Sequence, residues 1–196
     1  MTNAYEFLTE WRVSGTAQEV YDLVAHPVDY PRWWPAVYLE VTEIAPPDAT
    51  GVGRRVRLHT KGWLPYTLRW EAATVEASPP HRIAIRATGD FNGRGVWQIA
   101  QHGESVNVTF DWQLTADKPL LRRLSFLLKP LFSANHRWAM ARGQESLELE
   151  LARRRAATPE ERRRVPAPPG PTTTSMPWLA AGVILAVVVV AALALW

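Results

Sequence analysis

The chain has 196 residues, with 22 Lys and Arg against 19 Asp and Glu, ten Trp and no Cys. That length suits one domain with appendages, and the lack of Cys excludes disulfides and thiolate chemistry. Charge is unevenly placed: residues 152–177 hold six Arg and two Glu, whereas residues 1–151 hold 16 basic and 17 acidic groups, so the basic pI belongs to the segment behind the domain.

Met1 to Glu6 carry no basic run and no long apolar stretch, so no signal peptide is expected. Alternation from Tyr5 to Val13 predicts a strand. Thr16-Ala-Gln-Glu19 is a capping box that opens a short helix ending before His26-Pro27. Asp29-Tyr-Pro-Arg-Trp-Trp-Pro35 places one Pro near the start of a second helical turn and another at its stop. The period then changes to two, predicting strands near 37–45, 53–60, 66–77, 82–89, 95–101 and 106–115, separated by Gly, Pro, Asn and Asp turns. A long helical tract follows from about Asp117-Lys-Pro119 to Arg154, kinked or broken at Pro130. The sheet needs its apolar face covered, and only this last helix is long enough to do it. The fold class is therefore α+β.

Behind the domain, assigned to residues 1–151, residues 152–177 read as a basic Pro-rich linker. Its Pro residues oppose a stable helix and favour an extended tether. Its Arg residues lack interleaved aromatics, so no nucleic-acid partner is expected. Residues 178–196, from Trp178 to Trp196, are uncharged. As a helix they span about 28 Å, close to a bilayer's hydrocarbon thickness. They predict a C-terminal transmembrane helix, a tail anchor in the cell membrane. The Arg-rich linker would then keep the soluble domain cytoplasmic. The basic amphipathic stretch Pro119 to Phe132 has two readings, packing against the sheet or lying in a membrane interface.

Tyr30-Pro-Arg-Trp-Trp-Pro35, Leu68-Arg-Trp-Glu71, Gly89 to Trp97, Phe110-Asp-Trp112 and Asn135-His-Arg-Trp138, in this element order, resemble the START-like (SRPBCC) superfamily over about residues 2–151. Within it they look like the polyketide cyclase/dehydrase and lipid-transport branch. The resemblance implies a helix-grip, in which a curved seven-stranded antiparallel sheet wraps a long C-terminal helix around a deep cavity.

Strand parity decides which residues would face that cavity. Leu68, Trp70, Ala72, Ile83, Ile85, Ala87, Trp97, Ile99, Val106, Val108, Phe110, Trp112 and Leu114 share an apolar face, while Arg69, Glu71, Arg82, Arg86, Gln98, Asn107, Asp111 and Gln113 take the other. Trp70, Trp97, Phe110 and Trp112 are candidate ligand-binding residues, with core packing as the competing reading. Trp33 and Trp34 lie where the family places the cavity mouth, one to pack and the other, Trp34 in this reading, to contact ligand. Asn135, Trp138 and Arg142 follow helical spacing and complete the candidate set, with Arg142 meeting either an anionic ligand or a carboxylate in a structural ion pair.

No phosphate loop, nucleophile elbow or metal-spaced cluster occurs, so no cofactor or metal is expected. His26, His59, His81, His102 and His136 are scattered and read as exposed. Two functions follow. The first is a membrane-anchored binding or transfer protein for a hydrophobic small molecule or lipid. The second, suggested by the family, is a cyclase or aromatase using general acid-base chemistry, which needs a positioned acid or base that the inner strand face does not supply. A purely structural membrane adaptor is a third reading.

Overall fold

The computed structural model describes residues 4–115 and 125–172. Strand β1 spans Ala4–Ser14 and helix α1 spans Ala17–Val24. A single 3-10 turn at Pro27–Asp29 leads into the short α2, Tyr30–Trp33. Six strands follow: β2 at Tyr38–Ala45, β3 at Arg55–Lys61, β4 at Thr67–Ser78, β5 at Arg82–Gly89, β6 at Asn92–His102 and β7 at Ser105–Thr115. Helix α3 occupies Ser125–Arg155 and a six-residue α4 occupies Pro159–Arg164. The strands form one seven-stranded sheet in the order β1-β7-β6-β5-β4-β3-β2, every neighbouring pair antiparallel.

Period-two sequence produces a sheet with two chemically distinct faces. Trp70, Ile83, Ala87, Trp97, Val108 and Trp112 are buried on the inner face. On the outer face Glu71 takes Arg55 at 3.2 Å and Arg57 at 3.0 Å, and Arg82 takes Glu76 at 2.7 Å. These charges are cross-strand pairs of a solvated surface, each a weak contributor to stability.

Local signals explain the helices. Thr16 and Glu19 form the reciprocal capping box, with Thr16 N donating to Glu19 Oε2 at 2.8 Å and Glu19 N donating to Thr16 Oγ1 at 3.2 Å. Arg155, in the last turn of α3, sets its fork on the same Glu19 carboxylate at 2.7 Å from both Nε and Nη2. That fork, against a smaller opposing effect of burial, lowers the Glu19 pKa to about 2. Helix α3 runs through Pro130 as one helix, and the 116–124 part of its expected start lies outside the described residues.

Two expectations about the C-terminal region are corrected. The expected extended tether is partly helical: Thr158 caps α4, and Pro159 sits in its first turn, where its missing N–H costs nothing. The expected transmembrane helix is not supported. Among the described residues no helix is long and apolar enough to cross a membrane. Helix α3 has the length, but it carries Lys129, Arg137, Arg142, Glu145 and Glu148. Residues 178–196 lie outside the described residues. Among the described residues the fold is therefore the helix-grip sheet and helix, and the expected tail anchor in the cell membrane is withdrawn, along with the cytoplasmic orientation inferred from it.

Arg155→Met should lower the urea midpoint at pH 7 by the equivalent of roughly 1 kcal/mol, a modest value because the pair is partly solvent-screened. Glu19 has a lowered folded pKa, so the pair's contribution is complete above about pH 4.5 and vanishes as the pH falls toward 2. The difference between wild type and variant should close over that window. A difference that does not change with pH would show that the fork contributes only packing.

Candidate functional site

Between the inner sheet face and helices α1 to α3 lies a cavity of about 610 Å³, within the size range of small-molecule sites. Its sheet wall is a continuous aromatic strip. Trp97 stacks on Phe110 at 4.1 Å between ring centroids and 20° between planes, and Phe110 stacks on Trp112 at 5.4 Å and 24°. Trp70 continues the strip at 5.8 Å from Trp112, and Phe91 packs against both. Cross-strand register puts the rings together, since Trp97 faces Phe110 and Gly95 faces Trp112. A Cβ at position 95 would fall 2.7 Å from the Trp112 ring, so Gly95 gives that ring its place.

The helical wall comes from α2 and α3. Trp34, only 2% exposed, lines the cavity and presses against α3 at Gly143, where a Cβ would fall 2.2 Å from the indole. It holds the wall, while Trp33 is fully buried and packs within the core. From α3 the lining comes from Phe132, Asn135, His136, Ala139 and Met140, which follow helical spacing. Phe132 also packs edge-on against Tyr5 at 5.8 Å, so this end of the basic amphipathic stretch takes part in packing.

Of the eight candidates, Trp34, Trp70, Trp97, Phe110, Trp112 and Asn135 line the cavity, and Trp138 and Arg142 are not part of its lining. Trp138 packs half-buried against the core, and Arg142 bonds Glu145 one turn on at 2.7 Å, the structural ion pair. The face centred on 132, 136, 139 and 143 points inward, which leaves 138 and 142 pointing away from it. Asn135 sits at the edge of that face. Its Oδ1 accepts the backbone N–H of Trp63 at 3.0 Å and of Leu64 at 3.3 Å, fixing the β3–β4 loop at the rim.

Several lining groups had no counterpart in the sequence reading. Tyr30, Tyr38, Thr60, Lys61 and Tyr66 belong to the wall, as does His136, which was expected to be exposed. His136 is half-buried instead, stacked on Phe7 at 4.4 Å with its Nε2 at 3.2 Å from Thr9 Oγ1. Burial, then the nearby Arg137 charge, lowers its pKa to about 4, so the imidazole is neutral near pH 7. Burial pushes the phenols the other way: Tyr66 rises to about 12, and Tyr38 and Tyr30 rise well above their ordinary value. The Tyr30 hydroxyl is already spent on the Val24 carbonyl. Arg54 is paired from within the protein too, donating from Nη1 to the Ala25 carbonyl at 2.8 Å and lying 3.3 Å from the Glu43 carboxylate, while its buried Nε has no hydrogen-bond partner among the described residues. Trp70 Nε1 donates to Thr60 Oγ1 at 3.1 Å. Among the described residues no group of three or more His, Cys, Asp or Glu could hold a metal ion.

The His136 environment has a testable sign. With a folded pKa of about 4 against 6.5, the neutral form is favoured by folding, so its contribution is complete above pH 6.5 and is lost as the pH falls toward 4. The lowered carboxylates Glu19, Glu71 and Glu150 start from 4.5 and act below that window. Between pH 6.5 and 5 the urea midpoint of the wild type should fall, and His136→Gln should flatten that slope. An NMR titration placing the His136 midpoint near 6.5 would contradict the buried assignment.

The fold and its cavity have relatives among solved structures. TTHA0849 from Thermus thermophilus superposes with a TM-score of 0.63 at 18% identity, covering 78% of this chain and 100% of the other. The Zhui aromatase/cyclase from Streptomyces sp. R1128 gives 0.62 at 16% identity, covering 79% and 97%. A START superfamily protein from Mycobacterium smegmatis gives 0.52 at 16% identity, covering 69% and 98%. At these identities the likeness establishes fold alone. No curated protein matches the sequence. The family model described as polyketide cyclase/dehydrase and lipid transport matches residues 7–151. Because that match takes in almost the whole helix-grip domain, the chain belongs to the polyketide cyclase/dehydrase and lipid transport family.

Proposed function

We propose that the protein binds a hydrophobic small molecule or lipid in the helix-grip cavity, to hold or to transfer it. The observation that carries this reading is the aromatic strip of Trp70, Trp97, Phe110 and Trp112 along the wall of a 610 Å³ cavity. A ligand covering about 100 Å² of that strip would gain roughly 2.5 kcal/mol from apolar burial before ordering costs. The polar atoms Tyr30 Oη, Arg54 Nη1 and Asn135 Oδ1 are engaged by protein partners, whereas Tyr5 Oη and Trp34 Nε1, on lining residues, have no hydrogen-bond partner among the described residues. The aromatic strip therefore supplies most of the affinity, and these two polar atoms remain for a ligand.

A second reading, an enzyme of cyclase type, draws on the family and on the aromatase/cyclase among the structural neighbours. Acid-base catalysis works best with a group whose pKa lies near the working pH. The lining phenols are held protonated and His136 is shifted down to about 4, so binding is the better-supported reading.

Two substitutions separate a cavity wall from packed core. Trp112→Leu should weaken binding of a fluorescent polyaromatic probe about tenfold, with a smaller loss of stability than a core aromatic shows. Trp33→Leu, at a site with no exposure, should cost about 3 kcal/mol in urea unfolding and leave probe affinity unchanged. Strong destabilisation by Trp112→Leu with unchanged probe binding would show the strip to be packing and would defeat the binding reading.

A further inference from the structure

Among the described residues two basic side chains, Arg54 and Lys61, line the cavity, and the protein treats them differently. Arg54 is neutralised in place by Glu43. Lys61, at the end of β3, is half-buried at the rim, and among the described residues no carboxylate lies within ion-pair distance of its ammonium. Its acceptor is a neutral group, the backbone carbonyl of Thr172 at 2.5 Å.

That carbonyl is delivered by the segment that follows α4. Arg153 Nη2 donates to the Pro166 carbonyl at 2.8 Å, and Thr172 Oγ1 donates to the Gly62 carbonyl at 3.2 Å, so residues 166–172 return along the domain to the cavity rim. Prolines at 166, 168, 169 and 171 have no N–H to add a backbone ladder there. The segment's hold on Lys61 is thus a single ammonium-to-carbonyl bond. A charge-assisted bond from an ammonium to an anion is roughly twice as strong as one to a neutral acceptor. An anionic head group would therefore compete well against Thr172.

We propose that Lys61 is an anion-reading subsite at the cavity rim, so that the preferred ligand is a hydrophobic anion whose apolar body lies along the aromatic strip and whose charged group takes the place of the Thr172 carbonyl. This rests on the hydrophobic-binding reading above. Next to it in the chain, Gly62 adjoins the Asn135 amide, which is committed through Oδ1 to the rim loop. Lys129, with its Nζ 5.7 Å from the centre of the Tyr5 ring, adds a second positive charge beside the cavity-lining Tyr5. Asp90, the carboxylate in the lining among the described residues, accepts the Arg69 backbone N–H at 2.8 Å and stands on the β5–β6 turn, with β4 between β5 and β3. The subsite is partly open to solvent, so its effect is moderate and salt-sensitive.

The test uses the full chain and two fluorescent probes of nearly the same shape, dansyl-labelled undecanoic acid and its methyl ester. The wild type should bind the acid about fivefold more tightly than the ester, with the ratio shrinking at high salt. Lys61→Met keeps the length of the side chain and removes the charge. It should bring the ratio to one, chiefly by weakening the acid. Equal affinities in the wild type, or a preference that survives in Lys61→Met, would overturn the anion subsite and leave hydrophobic binding standing. If neither probe binds the wild type, the hydrophobic-cavity reading falls and the subsite with it.

Discussion

Helix α3 must be held across the aromatic face of the sheet without filling the space between them, and the rest of the structure depends on how that is done. At the C-terminal end of the helix, Arg155 grips Glu19 and the Ser14 carbonyl, which ties α3 to the start of α1. One turn earlier Glu150, almost fully buried, takes Arg32 at 2.8 Å, Arg154 at 3.1 Å and Arg153 at 3.2 Å. Burial alone would raise the Glu150 pKa, but hydrogen bonds from Arg32, Arg154 and Arg153 more than reverse it. A buried carboxylate of this kind is costly to leave unpaired, so the three partners work as one clasp between α2 and α3. In the middle of the helix, Gly143 admits the Trp34 indole, and further toward the N-terminus Asn135 fixes the β3–β4 loop.

These clamps are spaced along the helix, and the cavity lies among them. In a fully packed domain the inner aromatic rings would meet the helix directly and dispersion contacts would close the gap. Here the four rings of the strip stack largely on one another along the sheet, and the α3 residues opposite, Ala139 and Met140, share the cavity with them. The same separation accounts for the titration behaviour of the wall. Burial is the largest cause for these groups: it raises the Tyr30 and Tyr38 phenols and, with the nearby Arg137 charge, lowers His136 to about 4. A neutral, aromatic interior suits an apolar body, and Lys61, a lining cation with no carboxylate partner among the described residues, lies at the rim.

Much of this was legible in residue order. The alternation through β4 to β7 identified the inner face correctly, because a strand's side-chain period leaves little freedom once one face is buried. The Thr16 and Glu19 capping box located α1 for the same kind of local reason. Helix α3 was harder to read. Its residues are amphipathic in more than one direction, so spacing alone grouped Asn135 with Trp138 and Arg142, when the inward face runs through Phe132, His136, Ala139 and Gly143. A scattered His gave no sign of being lowered and buried, since the Phe7 and Thr9 that do this are more than 100 residues away in sequence. The attachments of the Pro-rich segment to Lys61 and Gly62 were not legible in the sequence, because they are long-range. The apolar composition of residues 178–196 suggested a membrane span, for which the described residues offer no support.

The central claim is that Trp34, Trp70, Trp97 and Trp112 face a ligand space while Trp33 does not. Each of the ten Trp side chains carries one indole N–H, so two-dimensional NMR can follow them individually during titration with a hydrophobic aromatic probe. Saturable shifts should concentrate on the resonances of Trp34, Trp70, Trp97 and Trp112, with Trp33 unmoved. Saturable probe binding that leaves these four unchanged and shifts other Trp resonances would contradict the account.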